Sequence, residues 1–434
     1  VIGLIAINAF GAESSFSGKW VDGEGDVEKL ALIEDAFETI APSSRMVNIN
    51  FLYKRDWDGL YEGMDWYAYW GQNSFGSEYG LMPFLEEPYA TWIKNSHGLH
   101  LRTMGDGKLK DSLGIIKPDG ALTDATLFQL TGDNDLGFGS LNRVNNTIQT
   151  GELLNVGTWS KQGDGGAGGD YHFGSYAAQM IMELERLLVS RDKDNIREVL
   201  PQFERTVDMF NTRLDRERNL VKTGRASVLL APVLHLPADE NGESTLAYVP
   251  EINANFAAAL VRMAELYEII GDKENADKHR AAVKRLKKGL ESLRDDSGSF
   301  IMYEDEDGIQ HGVFGAEKHG YYEAAPNHDS VATGLMSDAD SKVIMSKMLS
   351  IPQLRPYKFI LPNYPGYDEE GYVGNLAYGG WVNGGHWGTT QGRANIAFLR
   401  VDEYDYPFEA WGRQSKLFKS FKVGTPMPQM GKDV

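Results

Sequence analysis

Cysteine is absent from the 434-residue sequence. Disulfide bonds, thiolate metal ligands and a thiol nucleophile are therefore excluded. Long apolar runs are also absent, because no stretch reaches the ~20 residues that a membrane-spanning helix needs. We predict that the chain does not cross a membrane, and we favour a periplasmic or secreted location over a cytoplasmic one. The apolar residues 1–12 are expected to form a strand or a tail rather than the remnant of a signal peptide.

Positive charge is scarce, since 43 Lys and Arg residues stand against 62 Asp and Glu residues and the net charge is −19 at pH 7. Proteins that bind nucleic acid carry a basic stripe for the phosphate backbone. The only basic run, at residues 284–288, lies on a predicted helix among acidic neighbours. We therefore predict no nucleic-acid partner. An acidic surface suits a neutral or cationic ligand.

The signature motifs of several enzyme classes are missing. The sequence contains no Walker loop, no HExxH zinc helix, no GxSxG nucleophile elbow and no EF-hand loop. Each of these motifs supplies specific ligands or a nucleophile at a fixed spacing. The glycine-rich residues 163–169 lack the Lys-Ser/Thr ending of a phosphate loop, so they are interpreted as a loop at the rim of a site. The sequence therefore predicts no cofactor and no metal site.

Aromatic residues and glycine are abundant, with 9 Trp, 20 Tyr and 48 Gly. They concentrate in four segments, at residues 57–70, 163–176, 312–322 and 364–387. Amphipathic segments separate them, and in these segments apolar residues recur at the three- and four-residue spacing of a helix. The pattern therefore predicts helices joined by aromatic, glycine-rich loops. Residues 305–308 are expected to form the turn of a β-hairpin.

The predicted helices come in pairs with short connections, which is typical of antiparallel neighbours. The pairs are 171–191 with 195–214, 251–270 with 274–293, 329–335 with 340–349, and 386–400 with 406–421, with further helix at 27–40 and 77–96. These pairs predict a mainly α fold. We expect one (α/α)6 toroid of helical hairpins over residues 1–434, with long Gly- and aromatic-rich loops and a few short β-hairpins. Residues 1–25 are expected to be a separate N-terminal strand or tail.

Three segments combine polar, aromatic and glycine residues where a plain core would not place them: 66–75 with 118–124, 169–176, and 315–329 with 381–387. A pyranose has an apolar face and a rim of hydroxyl groups. Trp and Tyr rings stack on the face, and polar side chains bind the hydroxyls. The sequence thus predicts a carbohydrate substrate. The predicted substrate-binding residues are Trp70, Gln72, Asn73, Asp124, Tyr171, His172, His319, Tyr321, His328, Trp381, Asn383, His386, Trp387 and Arg393.

Cleavage of a glycosidic bond needs two carboxyl groups, one as an acid and one as a base or nucleophile. Four candidates stand at the starts of predicted helices or in loops: Asp170, Glu251, Glu317 and Asp329. From loop context we predict Glu317 as the general acid and Asp170 as the general base, with Glu251 and Asp329 as reserves. The alternatives are structural, because Asp170 and Asp329 could cap helices and Glu251 could interact with a helix dipole.

Two of these segments resemble the six-hairpin glycosidase superfamily. The run Gly-Gly-Trp-Val-Asn-Gly-Gly-His-Trp at 379–387, ahead of a helix that carries Arg393, resembles the aromatic loop of the last hairpin. Asn327-His328-Asp329 resembles the start of an inner helix. The resemblance covers the paired helices from about 170 to 420. It implies a catalytic acid and base on loops at one end of the toroid, and a glycoside hydrolase that cleaves an oligo- or polysaccharide with inversion.

Three other functions remain open at this point. A sugar 2-epimerase or isomerase on the same toroid would use a histidine pair, for which His319, His328 and His386 are candidates. A polysaccharide lyase would need cations around a uronate, and basic residues are sparse in these loops. A non-catalytic glycan-binding protein would use the aromatic residues alone. The products separate these functions, since only a hydrolase shortens the glycan by addition of water.

Overall fold

The computed structural model describes residues 53–54, 58–60, 69–108, 116–122, 125–128, 153–156, 171–224, 245–368, 377–380, 383–386 and 388–420. This part of the chain is mainly helical. Its α-helices are α1 (Gly71–Glu78), α2 (Tyr89–Arg102), α3 (Phe173–Ser190), α4 (Lys193–Asn211), α5 (Pro250–Ile270), α6 (Lys273–Leu290), α7 (Ala325–Ala332), α8 (Asp338–Leu349), α9 (Gly388–Arg400) and α10 (Asp405–Ser420).

The odd-numbered helices form a ring, and in the described part of the chain this ring is closed. Each of α1, α3, α5, α7 and α9 packs against the next, and α9 packs against α1. Helices α4, α6, α8 and α10 each pack on the inner helix that they follow, while α2 packs on α3. Because each outer helix runs back beside the ring, successive inner helices run in the same direction. Their N-termini therefore lie at one end, and the predicted mainly helical toroid is confirmed.

Local signals explain why the chain turns back between the paired helices. Arg191 ends α3 in the left-handed region, and the next residue, Asp192, caps α4 by accepting hydrogen bonds from two backbone N–H groups. Gly271 ends α5 at a φ of 86°, and Asp272 then caps α6. A left-handed C-terminal residue followed by an Asp cap stops one helix and starts another within two residues. Such short connections fix the antiparallel pairing.

Glycines let the first and last inner helices of the ring meet. A Cβ atom on Gly76 of α1 would lie 2.0 Å from the Thr389 hydroxyl of α9, and one on Gly392 would lie 2.3 Å from the Gly76 carbonyl oxygen. Neither distance is possible for real atoms, so both positions require glycine. Farther round the ring, the small residues 257–259 of α5 are buried. They allow the neighbouring helices to approach closely.

Short antiparallel strands precede several inner helices. The strands are β1 (Tyr53–Lys54), β2 (Gly59–Leu60), β3 (Tyr69–Trp70), β4 (Ala125–Phe128), β5 (Leu153–Val156), β6 (Leu214–Asp215), β7 (Leu220–Thr223), β8 (Ala247–Tyr248), β9 (Tyr303–Glu304), β10 (Gln310–His311), β11 (Tyr322–Glu323) and β12 (Asn363–Tyr364). The largest sheet has the order β10-β9-β8-β7-β6. The predicted hairpin turn at 305–308 is confirmed, because β9 pairs with β10 around it.

No helix among the described residues is both long and apolar enough to cross a membrane. The single-domain organisation over residues 1–434 stays a prediction. The proposed N-terminal strand or tail at 1–25, and the predicted helix at 27–40, lie outside the described residues.

Candidate active site

The sequence segments that were singled out lead into the N-termini of inner helices. Trp70 ends β3 immediately before α1, and Glu251 lies in the first turn of α5. Tyr171 and His172 precede α3, residues 315–324 precede α7, and Asn383 and His386 precede α9. Because the inner helices run in one direction, the toroid gathers these segments at one end. This is the arrangement that the sequence predicted.

Four side chains from three inner helices meet in the interior. The Nη1 atom of Arg393 lies 2.5 Å from Oδ2 of Asp329 and 3.9 Å from Oε1 of Glu251. Asn255, one turn after Glu251 in α5, donates from Nδ2 to the same Oδ2 of Asp329 at 3.3 Å. All four residues are at most 3% exposed. Two carboxyl groups therefore share one guanidinium group in a buried environment.

The two carboxyl groups differ in proton affinity. Burial, and then the charge of Asp329, raise the pKa of Glu251 to about 8 although Arg393 opposes the shift. Burial would also raise the pKa of Asp329, but Arg393 and His328 outweigh it and lower that pKa below its usual range. At neutral pH Glu251 therefore carries a proton and Asp329 is ionised. A carboxyl pair with pKa values pushed apart can supply one acid and one base.

His328 lies beside this pair. Its Nδ1 atom is 2.7 Å from Oδ1 of Asp329, and the side chain is fully buried. Burial lowers the pKa of His328, and this effect exceeds the opposing effect of Asp329. The neutral imidazole is therefore favoured next to the ionised carboxylate.

Several polar atoms beside this pair lack a hydrogen bond in the described part of the chain. They are Oε2 of Glu251, Oδ1 of Asn255, both ring nitrogens of His328, Oδ1 of Asp329, and Nε and Nη2 of Arg393. Buried polar groups in folded proteins almost always have a partner, and an exception calls for a physical reason. Here the exceptions lie on five residues in one place. We call these five residues the carboxyl cluster, and their unpaired polar atoms are suited to a polar ligand.

The predicted general acid, Glu317, belongs to the loop that precedes α7. It is exposed in the loop between β10 and β11, and the ion pairs of the carboxyl cluster involve other residues. His319, in the same loop, stacks on His311 at 4.0 Å between ring centroids. Its Nδ1 atom contacts Oδ1 of Asp368 at 2.9 Å. The contacts described for His319 are thus with His311 and Asp368.

The loop before α9 holds two further predicted residues in buried positions. His386 packs on Phe359, and its Nδ1 atom lies 3.3 Å from the carbonyl oxygen of Ile360. Burial lowers the pKa of His386 to about 4. Oδ1 of Asn383 accepts hydrogen bonds from Nδ2 of Asn363 at 3.0 Å and from the backbone N–H of Tyr367 at 3.1 Å. The histidines predicted for an isomerase therefore each contact different residues.

The remaining predicted residues divide into three groups. Tyr321 is buried against Tyr367, His172 is buried ahead of α3, and Tyr171 lies edge-on to Phe173. Trp70 lies in β3 and Gln72 and Asn73 lie in α1, but their side chains are outside what the structure describes. Asp124, Asp170, Trp381 and Trp387 lie outside the described residues.

Sequence reasoning missed two parts of this end of the ring. Asn255 follows Glu251 by four residues, a spacing that puts both on one helix face, and this signal was available. Glu323 is fully buried, and the Tyr367 hydroxyl donates a hydrogen bond of 2.6 Å to its Oε2. Nothing in the sequence links Glu323 to Tyr367, because the pairing depends on how β11 and β12 align.

No protein-family model and no curated protein matches the sequence. Solved structures do match its fold. The GH63 mannosylglycerate hydrolase from Thermus thermophilus, in complex with glucose, is 12% identical with a TM-score of 0.55, and the match covers 90% of this chain and 92% of that chain. An uncharacterized conserved protein from Thermus thermophilus gives a TM-score of 0.55 at 11% identity, with the same coverage.

The rhamnosidase from Klebsiella oxytoca with rhamnose bound is 13% identical with a TM-score of 0.47, and the match covers 80% of this chain. This chain spans 50% of the length of that rhamnosidase, and 28% of the length of a GH78 family rhamnosidase of Bacillus sp. GL1. At such low identity a structural likeness carries the fold and nothing finer. The chain has the α/α toroid fold of the Thermus thermophilus structures.

Proposed function

We propose that this protein is a glycoside hydrolase in which Glu251 is the general acid and Asp329 is the ionised carboxylate that acts with it. One observation carries the proposal: two buried carboxyl groups with opposite pKa shifts lie against one guanidinium group. They lie at the end of the ring to which the aromatic loops lead. Glu317 and Asp170, which loop context favoured, remain predictions, and an experiment below compares Glu317 with this pair.

The proposed chemistry follows from the protonation states. Glu251 gives its proton to the glycosidic oxygen as the bond from that oxygen to the anomeric carbon breaks. Asp329 faces the positive charge that develops on the sugar ring and either stabilises it or bonds to the anomeric carbon. Water then supplies the hydroxyl group of the released sugar, and its second proton returns to Glu251. Arg393 and Asn255 hold the Asp329 carboxylate in place.

We propose retention of configuration in place of the inversion expected from the family resemblance, because the proposed steps return a proton to Glu251. The two carboxyl oxygens lie 2.5 Å and 3.9 Å from the same Nη1 atom, so their separation cannot exceed the sum of these distances. This limit applies to one oxygen of each group, and it is compatible with the ~5–5.5 Å separation of retaining enzymes. Proton NMR of the first product anomer tests this point directly.

The charge of the carboxyl cluster supports a neutral sugar as the substrate. The positive charge of Arg393 is already matched by Asp329, so the carboxyl cluster offers no free cation for a uronate. This argues against the lyase. The hydrolase with the same fold from Thermus thermophilus was crystallised with glucose, a neutral sugar. That observation concerns the other protein, which was also crystallised with D-glycerate, an anion, so the neutral substrate proposed here rests on the charge of the carboxyl cluster.

The leaving group of the substrate provides the sharpest test of the acid. A substrate with a poor leaving group, such as an alkyl glycoside, needs protonation, whereas a dinitrophenyl glycoside does not. E251Q should therefore lose ~10²–10⁴-fold in kcat/KM on the alkyl glycoside and far less on the dinitrophenyl glycoside. D329N should lose activity on both substrates. E265Q is the matched control, because Glu265 is an exposed residue of the same helix.

Two results would overturn the assignment. Equal losses on both glycosides in E251Q would remove its role as an acid, and full activity of D329N would remove the pair. Circular dichroism and thermal melts of each variant separate lost chemistry from lost folding, which matters for D329N because it removes the partner of Arg393.

A sugar isomerase is the second candidate, and the position of His328 favours it. A neutral imidazole at 2.7 Å from a carboxylate can move a proton beside a carbonyl group. Mass spectrometry separates the two functions, because hydrolysis adds water and isomerisation leaves the mass of a monosaccharide unchanged. H328Q should abolish isomerisation and leave cleavage of a dinitrophenyl glycoside largely intact.

A further inference from the structure

Tyr378 is an exposed aromatic residue in the loop that leads to α9. Its exposed fraction is 48%. The surrounding turn is held by backbone hydrogen bonds, from Gly380 N–H to the Ala377 carbonyl at 2.8 Å and from Gly379 N–H to the Asn383 carbonyl at 2.7 Å. A large ring that stays open to solvent on a fixed backbone can stack on a ligand at little entropic cost.

Two glycines hold the ring against the backbone. A Cβ atom on Gly384 would lie 2.5 Å from Cε2 of Tyr378, and one on Gly366 would lie 2.7 Å from Cδ2. Gly384 also has a φ of 79°, a conformation that other residues rarely adopt. Any larger residue at either position would therefore push the Tyr378 ring away. The glycines belong to separate segments, one before and one after residues 369–376, and both serve the same ring.

The same segments carry buried hydrogen-bond acceptors that are open in the described part of the chain. Oδ1 of Asn363 and Nε2 of His386 are buried and have no hydrogen-bond partner there. With Nδ1 of His386 placed to donate to the Ile360 carbonyl, Nε2 is the acceptor of the neutral imidazole. The Nδ2 group of Asn363 is used by Asn383, which leaves its oxygen for a ligand donor.

We propose that Tyr378, Asn363 and His386 form a second sugar subsite beside the carboxyl cluster, so that the substrate is a neutral di- or oligosaccharide. This inference rests on the proposed function and adds a substrate class to it. A sugar unit presents an apolar face to Tyr378 and hydroxyl donors to the two acceptors. None of the three subsite residues is a cation, which suits an uncharged sugar.

Binding is measured in the E251Q background, which prevents turnover. The ligands are maltotriose, cellotriose, mannotriose and xylotriose with their monosaccharides, and the method is isothermal titration calorimetry. In this background Y378A should weaken binding of the preferred trisaccharide roughly tenfold and leave monosaccharide binding unchanged. Y378F should bind like the background, because the ring and not the hydroxyl makes the contact. Y357A is the matched control, since Tyr357 is 52% exposed in a different loop.

G366A supplies an independent test without removing the ring. Its added Cβ should displace Tyr378 and reproduce the Y378A loss for the trisaccharide, with monosaccharide binding kept. Unchanged trisaccharide binding in Y378A would overturn the subsite, as would an equal loss in Y357A. Failure of every sugar to bind would overturn the subsite together with the proposed function. If Y378A and G366A showed the expected binding losses but the wild type cleaved no glycoside, the proposed function alone would be overturned.

Discussion

Two clusters of buried charged side chains in the described part of the chain differ in their hydrogen bonding. The first, which we call the histidine network, contains Glu78, His97, Glu183 and Arg186. His97 contacts Glu183 through Nδ1 at 2.8 Å and Glu78 through Nε2 at 3.0 Å. Arg186 binds both oxygens of Glu183, at 2.7 Å and 2.6 Å. Every charge in this network faces an opposite charge.

The histidine network stabilises its ionised groups. Burial opposes the charge on His97, but hydrogen bonds to Glu183 and Glu78 raise its pKa. Burial likewise opposes the charge on Glu183, but Arg186 and His97 lower its pKa to about 2. In the carboxyl cluster the opposite holds for Glu251, whose raised pKa leaves it protonated. A satisfied network contributes structure, whereas a partly open cluster is held for a ligand.

The largest effect that separates the two clusters is on catalysis. E251Q should lower kcat/KM on a poor leaving group by ~10²–10⁴-fold without lowering the unfolding free energy. Gln keeps the shape of the protonated acid and cannot give up its proton. Steady-state kinetics and urea denaturation measure both quantities in one preparation. If E251Q lost activity only because it unfolds, with a lower unfolding free energy than the wild type, Glu251 would be a structural residue like Glu183.

The next largest effect is on stability. E183Q should lower the unfolding free energy by about 3–5 kcal/mol, because it leaves the Arg186 guanidinium buried without its ion-pair partner. Activity per folded molecule should stay at the wild-type level. Urea denaturation gives the first quantity and active-site titration the second. E198Q is the control, since Glu198 is exposed on α4 and should change stability by less than ~0.5 kcal/mol. A loss of activity per folded molecule in E183Q would show that the histidine network contributes to catalysis, and it would contradict this prediction.

A smaller effect follows from the pH dependence of stability. The pKa of Glu251 rises from 4.5 to about 8 in the folded state. Between these values the folded chain binds more protons than the unfolded chain, so its stability falls as pH rises through this window. E251Q removes this loss and should be more stable than the wild type by about 1–3 kcal/mol at pH 8, with a smaller difference at pH 5. Denaturation curves at both pH values measure it, and equal differences would contradict the raised pKa.

The fold was predictable because each helix carries its own signal. Apolar spacing marked the helices, and the short connections between them marked the antiparallel pairs. The site end was predictable as well, since the aromatic segments precede inner helices. The choice among the candidate carboxylates was not predictable from the sequence. Glu251, Asp329 and Arg393 belong to three separate helices, and only the ring decides which of their positions face one another.

The smallest expected effect concerns Glu317, which loop context ranked first as the general acid. Glycines around an acidic residue indicate a loop, but they do not distinguish a site loop from an exposed turn. With Glu251 as the acid, E317Q should change kcat/KM by less than about twofold. Glu317 is exposed and is not part of the carboxyl cluster, so removal of its charge should not affect catalysis. A loss of several orders of magnitude at unchanged melting temperature would restore Glu317 as the acid. The same alkyl and dinitrophenyl glycosides would then place the proton donor on the loop between β10 and β11, and Glu251 would be left as a buried partner of Arg393.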